Sequence, residues 1–196
     1  MSVAPTTLTL SELTDLLHLT PSSRIALVGN AKSLFGQHQG PEIDQYDCVV
    51  RLNYGRITDP IEQGSRTDVL GCSDDKITLS WIANELSPKA VVWLTSKATE
   101  AHFWDAELAV HLNTLAHWQA AAQYVEPYRP SSGAIAAYLL KCALGVQQVT
   151  LFGFDFFDTP TFYHRKSLRF WRKPKPSPHS GAAERSMMQQ LGIEVR

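Results

Sequence analysis

Residues 24–53 limit the fold of this chain more than any other stretch, because they place two strand-like segments close together. Residues 25–28 form an apolar run that favours a buried strand, and a Gly-Asn pair ends it in a turn. Cys48–Leu52 is a second run of the same kind. Open α/β sheets bind ligands at the carboxyl ends of their strands, so we expect Asn30 and Asn53 to lie near each other at that edge.

Side chains at these two strand ends carry useful chemistry. Asparagine offers both an amide donor and a carbonyl acceptor, so Asn30 and Asn53 are candidates to bind the base, ribose or phosphate of a nucleotide. Arg51, in the second strand, is expected to reach the same edge. Seen alone, however, the Val-Gly-Asn triplet is also typical of an ordinary strand followed by a turn.

Apolar runs and amphipathic segments alternate along the rest of the chain. Further strands are predicted at residues 67–72, 90–95, 124–125, 148–152 and 193–195, and helices at 8–19, 76–86, 103–118, 133–144 and 181–191. Strands that alternate with helices predict an α/β fold, with a mostly parallel, Rossmann-like sheet covered by helices on both faces.

Composition is that of an ordinary globular protein. The 196 residues are 44% hydrophobic and 19% charged, unlike a disordered chain. Their number predicts a single domain over residues 1–196. Within it we expect an N-terminal helix and linker at 1–22 and a mobile basic loop at 160–180. A net charge of −1 gives no sign of a nucleic-acid partner. No signal peptide or membrane-spanning run is recognised, so a cytoplasmic location is expected.

Four short pieces of sequence identify a family. V-G-N, G-P-E-I-D, D-C-V-V-R-L-N and G-S-R-T-D follow one another between residues 28 and 68. In order and spacing they resemble motif L, the donor-binding motif of the sialyltransferases of glycosyltransferase family 29, here in a short bacterial form. The resemblance implies a GT-A-type variant of the Rossmann-like fold and a nucleotide contact for Asn30 and Asn53.

A second motif begins at Pro130. Ser131, Ser132 and Gly133 open an apolar helix directly, and the free backbone N–H groups of a helix start attract a phosphate. Ser131 acting only as a helix cap is the alternative. Residues 130–154 resemble motif S of the same family, which implies that these three residues contact the donor nucleotide.

Two histidines follow the second motif. His179 and Glu184 form the pattern H-x-x-x-x-E, which resembles the family's motif VS. The resemblance implies that His179 is the general base that deprotonates the acceptor hydroxyl, and that Glu184 orients this base or supports its helix. His164 stands near the place of the motif III histidine and is assigned to stabilising the departing phosphate. For both histidines the alternative is a surface residue in a proline-rich loop.

Metal and cysteine chemistry are not expected. Asp155 and Asp158 follow a Gly-Phe pair after which the family often has glycine, and they fit a divalent ion, a solvated turn or a sugar hydroxyl. The resemblance implies no metal and no cofactor. Cys48, Cys72 and Cys142 lack metal-ligand spacing and are predicted to be buried thiols.

The segment 165–175 carries six basic residues, interleaved with two aromatic ones and without an acidic one. It would attract anions. We consider a lid over the donor or a contact with the acceptor, a surface that rests on acidic lipid at the inner membrane, and an uninvolved loop. Nucleic acid is a further possibility, disfavoured because the rest of the chain is not basic.

The resemblance predicts an inverting, metal-independent glycosyltransferase. It would move an acidic sugar, of sialic acid or 3-deoxy-octulosonic acid (Kdo) type, from a CMP-sugar to a hydroxyl of a surface glycan or glycolipid, as in polysaccharide biosynthesis. One alternative is a non-catalytic CMP- or glycan-binding protein of the same fold. Another is a nucleotide-dependent oxidoreductase, which is disfavoured because the turn after the first strand lacks the required glycine spacing.

Overall fold

The computed structural model describes residues 6–95, 107–162 and 177–196. These residues contain one sheet of eight strands. The strands are β1 (Thr6–Leu8), β2 (Arg24–Val28), β3 (Cys48–Leu52), β4 (Val69–Cys72), β5 (Ala90–Trp93), β6 (Ala109–Leu112), β7 (Gln148–Phe152) and β8 (Glu194–Val195). Their order is β1-β6-β5-β4-β3-β2-β7-β8, and every neighbouring pair is parallel. The predicted Rossmann-like α/β fold is confirmed.

Helices cover both faces of this sheet. They are α1 (Leu10–Leu16), α2 (Gly40–Ile43), α3 (Pro60–Gln63), α4 (Leu79–Glu85), α5 (Leu115–Gln123), α6 (Ser132–Tyr138) and α7 (Gly181–Gln190), with a 3-10 turn at Lys32–Leu34 and a π-helical turn at Leu139–Ala143 that continues α6. Helices α1, α5, α6 and α7 share one hydrophobic cluster, whereas α2 and α4 pack in separate clusters. No helix in the described part of the chain is both long and apolar enough to cross a bilayer.

The central strand β2 shows why its sequence is a continuous apolar run. Ile25 and Leu27 are buried in the cluster that contains α6 and α7, whereas Ala26 and Val28 are buried in the cluster that contains Ile43 of α2. Successive side chains of a strand point to opposite faces, so a strand covered on both sides needs apolar residues at every position. This requirement makes β2 recognisable from sequence.

Strand order reverses between β2 and β7. From β2 the chain proceeds through β3, β4, β5 and β6 in one direction, and then returns to place β7 on the other side of β2. Connections above such a point diverge to opposite faces and leave a crevice outside the carboxyl ends of the strands. Gly29 and Gly153, which follow β2 and β7, stand at this crevice, and the Gly29 N–H donates to the carbonyl of Phe152 at 2.7 Å.

Two short elements differ from the sequence-based prediction. In place of the middle of the predicted helix at 103–118, Ala109–Leu112 forms β6, which pairs with β5 and β1. The part at 103–106 lies outside the described residues. The predicted strand at 124–125 is wrong, because Tyr124 caps the end of α5. Strands of three or four residues are stabilised by their partners more than by their own sequence, so local patterns miss them.

Cysteine burial is confirmed for two of the three residues. Cys48 and Cys72 are buried, and burial raises the pKa of each thiol to about 12. Cys142 is exposed, so its predicted burial is wrong. It lies on the π-helical turn after α6, where the buried side chains are Leu139 and Leu140.

His111 on β6 is a buried titratable group. Its Nδ1 lies 2.9 Å from the carbonyl oxygen of Leu8, and burial, with a smaller contribution from the charge of His117, lowers its pKa. In the unfolded chain histidine titrates near about pH 6.5. Between the two pKa values the unfolded state therefore holds the additional proton, and lowering the pH favours unfolding.

We expect the free energy of unfolding to decrease as the pH falls from about 7.5 to about 5.5, and we expect His111→Gln to weaken this dependence. Urea unfolding followed by circular dichroism at each pH measures the effect. His18→Asn is a matched control at an exposed histidine whose left-handed φ of +52° asparagine tolerates. An equal pH dependence in His111→Gln and the unsubstituted protein would contradict the assignment.

Candidate active site

The predicted site residues converge on one crevice of about 780 Å³, part of it open to solvent. It lies where strand order reverses, above the carboxyl ends of β2, β3 and β7. The lining residues include all five residues predicted to hold a nucleotide and the predicted base: Asn30, Asn53, Ser131, Ser132, Gly133 and His179.

Asn30 presents an unpaired acceptor at the crevice. Its Nδ2 donates to the carbonyl oxygen of Leu52 at 2.8 Å, which fixes the orientation of the amide. Its Oδ1 is buried and has no hydrogen-bond partner in the protein. A buried acceptor without a partner costs about 1–3 kcal/mol, so an N–H or O–H of a ligand would be stabilised at this position.

Asn53 joins three elements above the sheet. Its φ of +48° is in the left-handed region, which asparagine tolerates better than most residues. Its Oδ1 accepts from the N–H of Ser73 at 2.8 Å, and its Nδ2 donates to Oγ of Ser132 at 3.3 Å. The Ser132 hydroxyl donates in turn to Oγ of Ser73 at 2.9 Å. This network ties the ends of β3 and β4 to the start of α6.

A buried carboxylate holds the residue that caps α6. The Ser131 N–H donates to Oε1 of Glu184 at 2.9 Å, and the Ser131 hydroxyl donates to Oε2 at 2.7 Å. Ser131 Oγ also accepts from the N–H of Ala134 at 3.2 Å, as a helix cap does. Glu184 is only 3% exposed. Burial raises its pKa, although the Ser131 hydrogen bonds and the charge of His179 oppose the shift.

Two glycines make room for an aromatic ring in the wall of the crevice. A Cβ atom on Gly133 would lie 2.5 Å from Cε1 of Phe154, and one on Gly29 would lie 2.9 Å from the same ring. A Cβ on Gly29 would also lie 2.5 Å from the carbonyl oxygen of Gly153. Glycine at both positions therefore allows the end of β2, the end of β7 and the start of α6 to approach closely.

His179 is held by the backbone just before α7. Its Nδ1 lies 2.7 Å from the carbonyl oxygen of Arg129, and the Arg129 N–H donates to the carbonyl of Pro178 at 2.9 Å. Because a carbonyl oxygen only accepts, Nδ1 carries the hydrogen. The neutral imidazole then has its lone pair on Nε2, the form that a general base requires.

The two aspartates after β7 belong to a turn. Asp155 accepts hydrogen bonds from the N–H of Thr159 at 2.9 Å and from the Thr159 hydroxyl. Asp158 lies 3.9 Å from the guanidinium of Arg185. Across residues 6–95, 107–162 and 177–196, no group of three or more His, Cys, Asp or Glu side chains could hold a metal ion.

Arg51 does not reach the crevice, so that expectation is wrong. Its side chain is buried, and its Nε and one terminal nitrogen donate to the carbonyl oxygens of Arg66 and Gln63 at 2.9 and 2.8 Å. Burial lowers its pKa to about 10. His164 and the basic segment 165–175 lie outside the described residues.

Three residues of the site region were not assigned a role from sequence. Ser73 joins the Asn53 network. Thr161 lines the crevice with a buried Oγ1 that has no partner, and Phe157 lines it beside His179. Ser73 and Thr161 are small hydroxyl residues in loops, a pattern too common to predict a site. The position of Phe157 depends on an unusual backbone conformation.

Comparison with known proteins agrees with this geometry. The family model described as glycosyltransferase family 29 (sialyltransferase) matches residues 5–91. A mammalian sialyltransferase structure is 17% identical, with a TM-score of 0.60 over 89% of this chain and 69% of its own. The sialyltransferase CstII from Campylobacter jejuni, in complex with the substrate analogue CMP-3FNeuAc, is 17% identical, with a TM-score of 0.56 over 88% of this chain and 79% of its own.

No protein with a curated description matches the chain. The solved sialyltransferases share the fold of this chain. The family match confirms the resemblance to the sialyltransferase family over residues 5–91.

We expect Glu184→Ala to destabilise the protein by about 2 kcal/mol, because it leaves the partly buried N–H of Ser131 without its acceptor. Glu184→Gln keeps an acceptor for that N–H and should retain most of the stability. Chemical denaturation measures both. In the control Glu85→Ala, loss of a surface ion pair with Arg56 should cost no more than about 1 kcal/mol. A loss in Glu184→Ala no greater than in this control would contradict the role of Glu184.

Proposed function

We propose that this protein transfers an acidic sugar from a CMP-sugar donor to a hydroxyl group of a glycan acceptor. The observation that carries the proposal is that every residue assigned to nucleotide binding lines the same crevice as His179. Similar structures support the choice of ligands. CstII has been solved with CMP-3FNeuAc, a related sialyltransferase variant with CMP, and the mammalian enzyme with Gal-beta-1-3GalNAc-ortho-nitrophenol.

In the proposed complex the cytidine monophosphate lies between the strand ends and the start of α6. Oδ1 of Asn30 accepts a hydrogen bond from the nucleotide, which gives this buried atom its missing partner. Asn53 holds Ser132 in position. The N-terminal turn of α6 faces the phosphate with the backbone N–H groups of Ser132 and Gly133, whereas the Ser131 N–H donates to Glu184.

The reaction needs a base and a leaving group. Nε2 of His179 takes the proton of the acceptor hydroxyl while the oxygen attacks the anomeric carbon of the donor. The bond from that carbon to the phosphate oxygen breaks, and CMP leaves with the electron pair. Attack opposite the phosphate inverts the anomeric centre. His164 stabilises the leaving phosphate, and no metal ion takes part.

The donor sugar is of sialic acid or Kdo type. Both are 2-keto acids carried on CMP, so both remain in the proposal. A surface glycan or glycolipid is the proposed acceptor, with the chain acting in the cytoplasm. The basic segment 165–175 would close over the donor or rest on acidic lipid.

We expect His179→Ala to abolish CMP release from a CMP-sugar, because the acceptor hydroxyl loses its base, while CMP still protects the variant from thermal unfolding. CMP release in buffer containing EDTA, with a panel of CMP-sugars and acceptors, measures the reaction without metal. Thermal shift with CMP, UMP and AMP measures donor binding. His18→Asn, an exposed histidine outside the crevice, should retain full activity. Release unaffected by His179→Ala would remove the base assignment.

We expect Asn30→Asp to remove the protection by CMP. One carboxylate oxygen would face the carbonyl of Leu52, and the added negative charge would repel the phosphate. Thermal shift with and without CMP measures this loss. Asn113→Asp provides a control at a buried asparagine that directly follows β6 and does not line the crevice. A protein that CMP protects but that transfers no sugar would instead be the non-catalytic binding protein.

A further inference from the structure

Two consecutive aromatic residues after β7 have an unusual backbone conformation. Phe156 and Phe157 have φ values of +57° and +74°, in the left-handed region that bulky side chains rarely adopt. The carboxylate of Asp155 closes the turn by accepting from the N–H and hydroxyl of Thr159. Gly181 allows the close approach of this turn, because a Cβ there would lie 2.1 Å from the carbonyl oxygen of Phe156.

This turn is fastened to the helix that follows His179. The ring of Phe156 is buried, and the guanidinium carbon of Arg185 on α7 lies 4.4 Å from its centroid. The same guanidinium lies 3.9 Å from Asp158. The turn and the start of α7 are therefore packed together at the mouth of the crevice.

Phe157 is the residue that this arrangement presents to the crevice. Phe157 is 50% exposed, so burial explains little of its placement. It is stacked on the imidazole of His179, with ring centroids 5.8 Å apart and an interplanar angle of 15°. Strained conformations persist where the surrounding structure requires them, and they concentrate at functional sites.

The stack supplies an orientation that the hydrogen bond of His179 does not. The bond from Nδ1 to the carbonyl of Arg129 fixes one atom of the imidazole, but the ring can still turn about the axis of that bond. A parallel ring against one face limits this rotation. Together the two contacts determine where the lone pair of Nε2 points.

We propose that Phe157 is a positioning residue that holds the imidazole plane of His179 for proton transfer to Nε2. The inference rests on the transfer reaction proposed above and adds a residue to its machinery. Phe157 acts through His179 and takes no proton itself. An aromatic ring is needed at this position, because an aliphatic side chain of similar size has no flat face to set the plane.

The test compares Phe157→Leu with Phe157→Tyr, and uses Phe35→Leu as a control at a half-buried phenylalanine outside the crevice. We expect Phe157→Leu to lower kcat by about tenfold or more, because a misplaced base loses catalytic geometry. Protection by CMP should be unchanged. Phe157→Tyr should restore kcat to within about twofold of the unsubstituted protein, since the ring is retained.

Two-dimensional ¹H–¹³C NMR of the imidazole provides a readout that does not depend on activity. The ring current of Phe157 should shift the Cε1–H resonance of His179, identified by its loss in His179→Ala. Phe157→Leu should move this resonance, while Phe35→Leu should leave it in place. An unmoved resonance in Phe157→Leu, or an unchanged kcat, would overturn the proposal.

Failure of the proposed function has a different signature. If CMP does not protect the protein and no CMP-sugar releases CMP, the proposed transfer reaction is refuted, whatever the NMR comparison shows. The positioning role in that reaction is then refuted as well. If Phe157→Leu loses protection by CMP along with activity, Phe157 contacts the donor directly, and the positioning role alone is overturned.

Discussion

The pair of hydrogen bonds between Glu184 and Ser131 is the interaction on which the crevice depends. It joins α7, which begins two residues after His179, to the first turn of α6, where the donor phosphate is proposed to bind. These segments are 53 residues apart in sequence. A carboxylate that is this deeply buried is tolerated because both of its oxygens are paired and because the N-terminus of a helix favours negative charge. The start of α7 and the start of α6 therefore keep a fixed relation.

Two aspartates in the stretch that resembles motif L fasten the strands beside the crevice. Asp44 accepts hydrogen bonds from the backbone N–H groups of Ser65 and Arg66, and Asp68 accepts from Val49 and the guanidinium of Arg66. These contacts bind β3 and β4 to the loop between them. The stretch thus combines structural hydrogen bonds with a few side chains at the strand ends.

The sequence predicted the centre of the sheet and its edge residues because burial on both faces leaves a clear pattern. Asn30 and Asn53 could be predicted because each directly follows a buried strand, and the carboxyl ends of parallel strands meet at one edge of the sheet. Arg51 was misplaced because a long side chain can turn into the core when backbone carbonyls accept its donors. Phe157 could not be found, since its left-handed φ and its stack depend on partners that are distant in sequence.

The carboxylate of Glu184 also interacts electrostatically with His179. Its ionised form and a protonated imidazole at His179 attract each other, as the lowering effect of His179 on the pKa of Glu184 records. The hydrogen bonds from Ser131 also lower the pKa of Glu184, whereas burial, the largest effect, raises it. The group that fixes the geometry of the crevice therefore also responds to the charge of the proposed base.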